Sequence, residues 1–265
     1  MNKKYGVWAV AACAALAMGV SGCGKDSDDK ADKGGDKTAE KPVATSGVEK
    51  LSAQEIAEKA KTELVNAKSM RLKADGTDGG KPMTMDLAFD STGSCRGSMS
   101  MGDAGSFELI KLADKVWMKP DDAFYKSQIA PGEGGAEAAK LFKGKWLHGS
   151  TSDPMLKSMS EVCDLKGMQA KMAEDTKKST FTKGAPETQN GQQVIPLKGK
   201  DSDGQPETMY VAITGKPYPV KVVSSGKDGG TMVLSDYDKP IAKDTPTAGE
   251  TIDVSKLQEE LGGGA

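Results

Sequence analysis

The residues with the most distinctive chemistry in this sequence are its four cysteines, and one of them marks a sharp border. Residues 6–20, GVWAVAACAALAMGV, are uncharged and mostly apolar, and Lys3 and Lys4 precede them. Five of the six residues from Lys25 to Lys30 are charged. A basic segment followed by a short apolar segment is typical of a secretory signal, and this one is shorter than the roughly 20 residues that span a bilayer. The sequence predicts a signal peptide over residues 1–22.

The border itself, Val20-Ser-Gly-Cys23, resembles the lipobox of bacterial lipoproteins. The resemblance implies that Cys23 receives a diacylglyceryl group, with chains such as palmitate, and becomes the first residue after cleavage. Stable anchoring requires two chains or an equivalent second signal, and a diacylglyceryl thioether supplies both chains. We therefore expect a protein held by lipid on the outer face of the cell membrane. The alternative is an ordinary secretory signal in which Cys23 is incidental.

Two further cysteines remain after export, since Cys13 leaves with the signal peptide. Cys95 and Cys163 form an even pair in an oxidising compartment, and such pairs favour a disulfide. A bridge would close a loop of about 70 residues and contribute roughly 4 kcal/mol in the chain-entropy model. The alternative is two buried free thiols.

Other catalytic and metal-binding patterns are weak. His148 is the only histidine, which excludes paired-histidine metal sites and favours a satisfied structural histidine. The glycine-rich stretch at residues 132–137 does not follow a strand of a βαβ unit, so it is a poor phosphate site. Asp201-Ser-Asp-Gly204 begins like a calcium loop but lacks the later ligands, and a hairpin turn is the better interpretation. We therefore expect the protein to bind no cofactor and no metal, and not to be an enzyme.

Composition divides the chain into four parts. Residues 23–48 alternate both signs of charge without large apolar residues, which predicts a lipid-anchored disordered tether. Residues 49–254 are expected to form a single domain, and residues 255–265 a flexible tail. The formal net charge of −2 gives no reason to expect a nucleic-acid partner.

Local patterns predict helices in two regions. Ser52-Ala-Gln-Glu55 is a capping box that opens a helix to about Lys68. Its apolar face is Ile56, Ala60, Leu64 and Val65. Two or three short helices are expected over residues 131–175, one near 136–142 and one beginning at Asp153-Pro154, with Met155, Met159, Val162 and Cys163 on its apolar face.

Alternating patterns predict strands on either side of that helical region. The first runs from Met83 to Asp90, and after a turn a second runs from Cys95 to Met101. Further strands are expected at 107–112, 115–119, 123–126, 178–185, 192–198, 207–213, 219–225 and 230–237. With no strand–helix–strand alternation, the pattern favours an antiparallel sheet with grouped helices, an α+β fold.

Methionine is the unusual apolar residue, with twelve of the fourteen lying after Cys23. Methionine is flexible and polarizable and suits adaptable cavities. The inward face of the first two strands, roofed by helices, is a candidate pocket for acyl chains, with lining residues Met83, Met85, Leu87, Phe89, Met99 and Met101. The alternative is that these residues simply fill a core.

Four stretches together resemble a known family. They are EIAEKAKTELVNAKSMRLKADG, the turn Asp90-Ser-Thr-Gly-Ser-Cys95-Arg-Gly97, ELIKLADKVWMKPDDAFYK, and the closing VLSDYDKP. Over about residues 50–253 the chain is similar to the LppX/LprA/LprF/LprG lipoproteins of mycobacteria and, more remotely, to LolA/LolB-like carriers. The resemblance implies a curved antiparallel half-barrel with helices over its concave face. It also implies an apolar cavity that binds acylated lipid or glycolipid and helps move it outward.

Two functions therefore remain open at this stage. One is an anchored lipoprotein that binds acylated lipid or glycolipid and carries or presents it in the cell envelope. The other is a non-catalytic envelope lipoprotein that binds or regulates a protein partner and has no ligand cavity.

Overall fold

The computed structural model describes residues 46–129, 136, 139–140, 142–201 and 203–255. The predicted signal peptide, Cys23, almost all of the predicted tether and nearly all of the predicted tail lie outside these residues. The glycine-rich stretch at 132–137 lies outside them except for residue 136. Of the helix predicted near 136–142, residues 136, 139 and 140 are described and are helical. The three-residue turn Val48–Lys50 leads into the first helix, and Val48 is already buried.

The described helices are α1 (Ala53–Asn66), α2 (Asp122–Phe124), α3 (Pro154–Glu161) and α4 (Leu165–Lys178). The first six strands are β1 (Ser69–Asp78), β2 (Lys81–Asp90), β3 (Cys95–Ser100), β4 (Ser106–Leu112), β5 (Lys115–Pro120) and β6 (Trp146–Ser150). The remaining strands are β7 (Thr182–Lys183), β8 (Glu187–Gln189), β9 (Gln192–Lys200), β10 (Pro206–Ala212), β11 (Pro219–Ser224), β12 (Gly230–Ser235) and β13 (Thr251–Asp253).

All thirteen strands belong to one open sheet, ordered β13-β6-β5-β4-β3-β2-β1-β12-β11-β10-β9-β7, with β8 also paired to β9. Neighbours are antiparallel except β13, which lies parallel to β6. The expected α+β fold with a curved sheet is confirmed, and the parallel edge strand makes the sheet mixed. Sequence patterns do not reveal such an edge pair, because β13 reaches β6 only after residues 236–250 have crossed the sheet.

The first helix forms as its capping box predicts. The Ser52 backbone N–H donates to the Glu55 carboxylate at 2.9 Å, and the Glu55 N–H donates back to the Ser52 hydroxyl at 3.3 Å. Ile56, Ala60 and Leu64 are buried, as expected. Val65 was expected on the same face but is 47% exposed, because it lies at the edge of the helical stripe beyond the contact with the sheet.

Several element predictions differ from the structure. Residues 123–126 are helical, since the Asp121 carboxylate caps α2 by accepting from the Phe124 N–H at 2.7 Å. Residues 125–129 continue as a π-helical turn. Strands β1 and β6 were not predicted, and the strand expected at 178–185 is reduced to Thr182–Lys183, because α4 extends to Lys178.

Helices α1 and α4 cover one side of the sheet and contact each other, and α3 lies beside β5 and β6. A larger core cluster packs the first six strands and β12 against α3, α4 and the end of α1. A smaller cluster packs α1 against β9 and β10. We call the helix-covered side of the sheet the concave face and the other the convex face.

Candidate functional site

The deepest part of the concave face is a row of cross-strand neighbours. The row runs through Leu234, Leu72, Leu87, Gly97, Leu109, Met118 and Leu147. Its six side chains are each no more than 4% exposed, so this row is a packed core. Gly97 has no side chain. Any other residue is excluded here, because φ is 151° and an added Cβ would overlap the Asp86 carbonyl oxygen. A glycine in mid-strand permits the close approach and bending that a curved sheet needs.

A second row of cross-strand neighbours lies two residues further along each strand, on the same face, and is rich in methionine. It runs through Met209, Val222, Met232, Ala74, Met85, Met99 and Phe107. Met85 and Met99 are cross-strand neighbours and only partly buried. The row therefore lies between the packed core and the open end of the concave face.

The helices above this row also present methionines. Met155 and Met159 of α3 and Met168 and Met172 of α4 are spaced by one helical turn, and all four are partly buried against the larger core cluster. The sheet side contributes the partly buried Met85, Met99, Met101 and Met232. Eight half-buried methionines thus line the space between sheet and helices, where their flexible, polarizable side chains can rearrange.

The six residues predicted for the pocket all lie on the concave face but at different depths. Leu87 and Phe89 are 1% exposed and belong to the packed core. Met85, Met99 and Met101 are half-buried against that core. Met83 lines a small cavity near the ends of β1 and β12.

Two small cavities lie along the concave face. The outer one has a volume of about 190 Å³ and is lined by Ala74, Gly76, Met83, Val222 and Met232 among others. The inner one, of about 90 Å³, lies between α1, α4 and strands β10 to β12. Their combined volume is below the roughly 300 Å³ at which small-molecule pockets usually begin.

Glu207 of β10 borders both cavities and is a site residue that the sequence interpretation missed. Its carboxylate accepts a hydrogen bond from the Ser224 hydroxyl at 3.2 Å. Burial raises the pKa of Glu207, and the nearby Asp201 and Asp175 carboxylates raise it further, against the lowering effect of the Ser224 hydrogen bond. The sequence did contain a signal for it, because residues two apart in a strand lie on the same face, and Glu207 therefore shares a face with the apolar Met209 and Val211.

A disulfide joins the sheet to the helical layer, as predicted. Cys95 begins β3 and Cys163 lies between α3 and α4, with their Cα atoms 5.4 Å apart. Both residues are at most 1% exposed. The bridge fixes the start of the helical layer to the middle of the sheet, and α4 is then held to α1 by a buried side chain.

That side chain is Gln169 of α4, which is 4% exposed. Its amide nitrogen donates to the Leu64 carbonyl at 2.7 Å and to the Ala67 carbonyl at 2.9 Å. Carbonyls in the last turn of a helix have no partner within the helix, so Gln169 supplies the C-terminal cap of α1. The two helices over the concave face therefore hold each other in place.

The convex face carries charged residues and a crossing segment. Residues 236–247 run over this face, where the Arg96 guanidinium binds the Asp244 carboxylate at 2.6 Å and the Ala242 carbonyl at 3.3 Å. Beneath the segment lies a groove of about 620 Å³ bordered by Arg71, Asp86 and Trp146. Its charges are paired, since Arg71 donates twice to Asp86 at 2.6 and 2.8 Å.

The remaining candidate chemistry gains no support. The Asp201 side chain accepts from the backbone N–H groups of Asp203 and Gln205 at 3.0 and 2.8 Å, which confirms the hairpin turn between β9 and β10. His148 stacks on Trp117 with ring centroids 4.8 Å apart, and its Nε2 has no hydrogen-bond partner among the described residues. Within the same residues, no cluster of His, Cys, Asp and Glu is placed to hold a metal, and no helix has the length and apolarity to cross a bilayer.

A wide open sheet, curved over a layer of helices with half-buried apolar side chains between them, defines the LolA-like half-barrel class. Comparison with solved structures agrees with that class. The chain is similar to LprF from Mycobacterium bovis, with 13% identity and a TM-score of 0.50, over 74% of this chain and 97% of that one. At this identity the match shows the fold alone, and the half-barrel expected from the sequence resemblance is confirmed.

Two other solved structures match more loosely. The Mycobacterium tuberculosis lipoprotein LppX has 13% identity and a TM-score of 0.46, over 72% of this chain and 98% of that one. The Pseudomonas aeruginosa MucA/MucB complex contains a chain with 8% identity and a TM-score of 0.30, over 74% of this chain and 59% of that one. No family model matches the sequence, and no curated protein is significantly similar to it.

Proposed function

We propose that this chain is a lipoprotein, anchored to the outer face of the cell membrane through Cys23, that binds acylated lipid or glycolipid and carries or presents it in the envelope. Acyl chains enter between the methionine row of the sheet and helices α3 and α4. The proposal assigns no catalytic step to the protein.

The observation that carries this proposal is the set of eight half-buried methionines described above. The largest fully buried side chains are mostly leucine, isoleucine and phenylalanine, so methionine is concentrated where packing is incomplete. A face that had only to fill a core would use side chains with fewer rotamers, since these specify packing better. Flexible side chains on both sides of one space suit a ligand made of hydrocarbon chains.

Lipid entry requires this space to widen, because the two concave cavities hold only about 190 and 90 Å³. Methionine has three side-chain torsions, so rotamer changes on α3, α4 and the sheet can open room without moving the backbone of the packed Leu row. The disulfide and Gln169 hold the helical layer in register while this happens.

Tether length supports a carrier that works near its membrane. Residues 24–45 contain both charge signs, glycine and proline, and we expect them to form a flexible tether. A flexible chain of this length has an r.m.s. reach of roughly 25 Å. The domain can therefore approach the bilayer surface to collect lipid and also stand off from it.

The direct test is transfer of a fluorescent diacylglycerol from phosphatidylcholine vesicles to residues 24–265, which contain every described element but not the anchor cysteine. We expect saturable transfer to the protein. The Met85→Glu chain is the control, because a charge in the methionine row opposes an acyl chain. Absence of transfer to the unaltered chain would contradict the proposal.

A second candidate function is binding of a protein partner without a lipid. It is favoured by the small volume of the concave cavities and by the roomier groove of about 620 Å³ on the convex face. Cross-linking in cells separates the two functions. One dominant protein partner trapped through Trp146, together with a domain that never acquires lipid, would support this candidate instead.

A further inference from the structure

The two concave cavities meet at one acidic residue. They share three lining residues, Glu207, Val222 and Met232. The inner cavity is also lined by apolar and polar side chains of α1 and α4, and by Met209 and Pro219 of the sheet. The outer cavity extends past the ends of β1 and β12. Glu207 therefore lies between the cavity under the helices and the open end of the concave face.

The cross-strand row that begins at Glu207 and Ser224 continues through two glycines. Gly76 of β1 pairs with Gly230 of β12, and both border the outer cavity. A Cβ added at Gly230 would lie 2.7 Å from the Gly76 Cα and 2.4 Å from the Asp75 carbonyl oxygen. The strands approach too closely here for any larger residue, so the row carries no side chain between Ser224 and Met83.

The charge of Glu207 is not balanced by a neighbouring base. Its one hydrogen-bond donor among the described residues is the neutral Ser224 hydroxyl. The charged groups facing it from α4 and from the β9–β10 turn are Asp175 and Asp201, both acidic. Lys61 of α1 also borders the inner cavity, but its ammonium group is paired with Glu58.

We propose that Glu207 selects the head group of the bound lipid: its carboxylate accepts a hydrogen bond from a hydroxyl of an uncharged head group and repels a phosphate. The proposal rests on the lipid-binding function proposed above and narrows its ligand to acylated lipids with neutral, hydroxyl-bearing heads. The acyl chains extend inward over Met232 and Met209, and the hydroxyl lies beside Glu207 and Ser224. A phosphate at the same place would add a like charge to a site of reduced water access, where charges interact strongly.

The test compares two short-chain lipids that differ only in a phosphate, dihexanoylglycerol and dihexanoyl phosphatidic acid. Affinities of residues 24–265 for both are measured near neutral pH. Glu207→Gln keeps the side-chain shape and removes the charge, Glu207→Asp keeps the charge, and Glu187→Gln removes an exposed charge of β8 outside both cavities. Thermal unfolding of each variant confirms that the fold is retained.

We expect the unaltered chain to bind the glycerol lipid at least about tenfold more tightly than its phosphate counterpart. Glu207→Gln should reduce that ratio several-fold by strengthening binding of the phosphate lipid, whereas Glu207→Asp and Glu187→Gln should preserve it. Equal affinities in the unaltered chain, or an unchanged ratio in Glu207→Gln, would overturn the head-group assignment while leaving lipid binding intact. Failure of the unaltered chain to bind either lipid would overturn the proposed function itself.

Discussion

Met85 and Met99 are cross-strand neighbours on β2 and β3, and both side chains are half-buried on the concave face. Directly opposite residues on one face of an antiparallel pair have Cβ atoms about 4.5–5.5 Å apart. One position deeper, Leu87 is opposite Gly97 and fully buried. The pair therefore marks the boundary between the packed core and the half-buried apolar surface that we propose as the lipid site.

Replacing either methionine by glutamate should abolish binding of a diacyl lipid. An ionised carboxylate at this position would have to be desolvated by the acyl chain without a partner. Met85→Leu and Met99→Leu should stay within about tenfold of the unaltered affinity, because they conserve volume and apolarity. Vesicle-transfer assays give the affinities.

The control for this prediction is Ser100→Glu, which introduces the same charge on β3 next to Met99 but on the convex face, opposite the uncharged Thr84 and Ser106. It should bind lipid normally. Glutamate variants of Met85 and Met99 that remain folded and still bind lipid would remove these residues from the pocket.

The disulfide should contribute substantially to stability. Cys95 and Cys163 are separated by 68 residues, and the chain-entropy model assigns roughly 4 kcal/mol to a loop of that size. The double variant Cys95→Ser/Cys163→Ser should therefore unfold at much lower urea concentration. A thiol assay on denatured, unreduced protein should find no reactive thiol from this pair, and two reactive thiols would show that the bridge does not form.

Gln169 should be the side chain on which docking of α4 to α1 most depends. Gln169→Leu removes the side-chain donor to the Ala67 carbonyl and leaves the Leu64 carbonyl with only the Ala67 N–H at 3.3 Å, which costs about 1–3 kcal/mol. Urea unfolding measures the loss, and Lys171→Ala at an exposed position of α4 is the matched control. Equal midpoints for the two variants would mean that Gln169 does not hold the helices together.

The Arg71–Asp86 pair should make stability depend on pH in the acid range. Hydrogen bonds from Arg71 hold the pKa of Asp86 below its ordinary value of 3.8, with a smaller contribution from Lys73. An acid with a lowered folded-state pKa contributes stability above its ordinary pKa and loses that contribution as pH falls through the folded-state value. Asp86→Asn should therefore be less stable than the unaltered chain near neutral pH.

The difference in unfolding free energy between the unaltered chain and Asp86→Asn should shrink as pH falls below 3.8. Urea unfolding at a series of pH values measures it, and Arg71→Gln should remove the same pH-dependent contribution from the other side of the pair. A difference that stays constant down to the acid limit would contradict the assignment.

Much of the fold could be predicted because local patterns agreed with the tertiary structure. The capping box at Ser52 and the alternation from Met83 to Asp90 each correspond to an observed element. Strand β1 was missed although Met70, Leu72 and Ala74 alternate with charged residues over its first half. At residues 123–126 an N-cap at Asp121 overrode the apolar, strand-like composition.

The candidate site was harder to predict than the fold. The alternation of side chains along the strands placed one set of residues on the same face, namely Met83, Met85, Leu87, Phe89, Met99 and Met101. It did not show how deeply each side chain is buried, and burial separates the packed Leu87 and Phe89 from the half-buried methionines. Glu207 of β10 lies some hundred residues further along the chain. It comes close to these strands only because β12 pairs with β1 on one side and with β11 on the other, and β11 pairs with β10. Pairing between distant strands is set by the whole sheet and leaves no local trace.

The most direct test of lipid binding is native mass spectrometry of residues 24–265 purified from the envelope of the protein's own host without detergent. Omitting Cys23 ensures that any additional mass is not the anchor. The account predicts a mass excess that disappears on denaturation, with acyl chains in the organic extract. A bare polypeptide mass, two hydrogens short because of the disulfide, would contradict lipid binding and favour the protein-partner function.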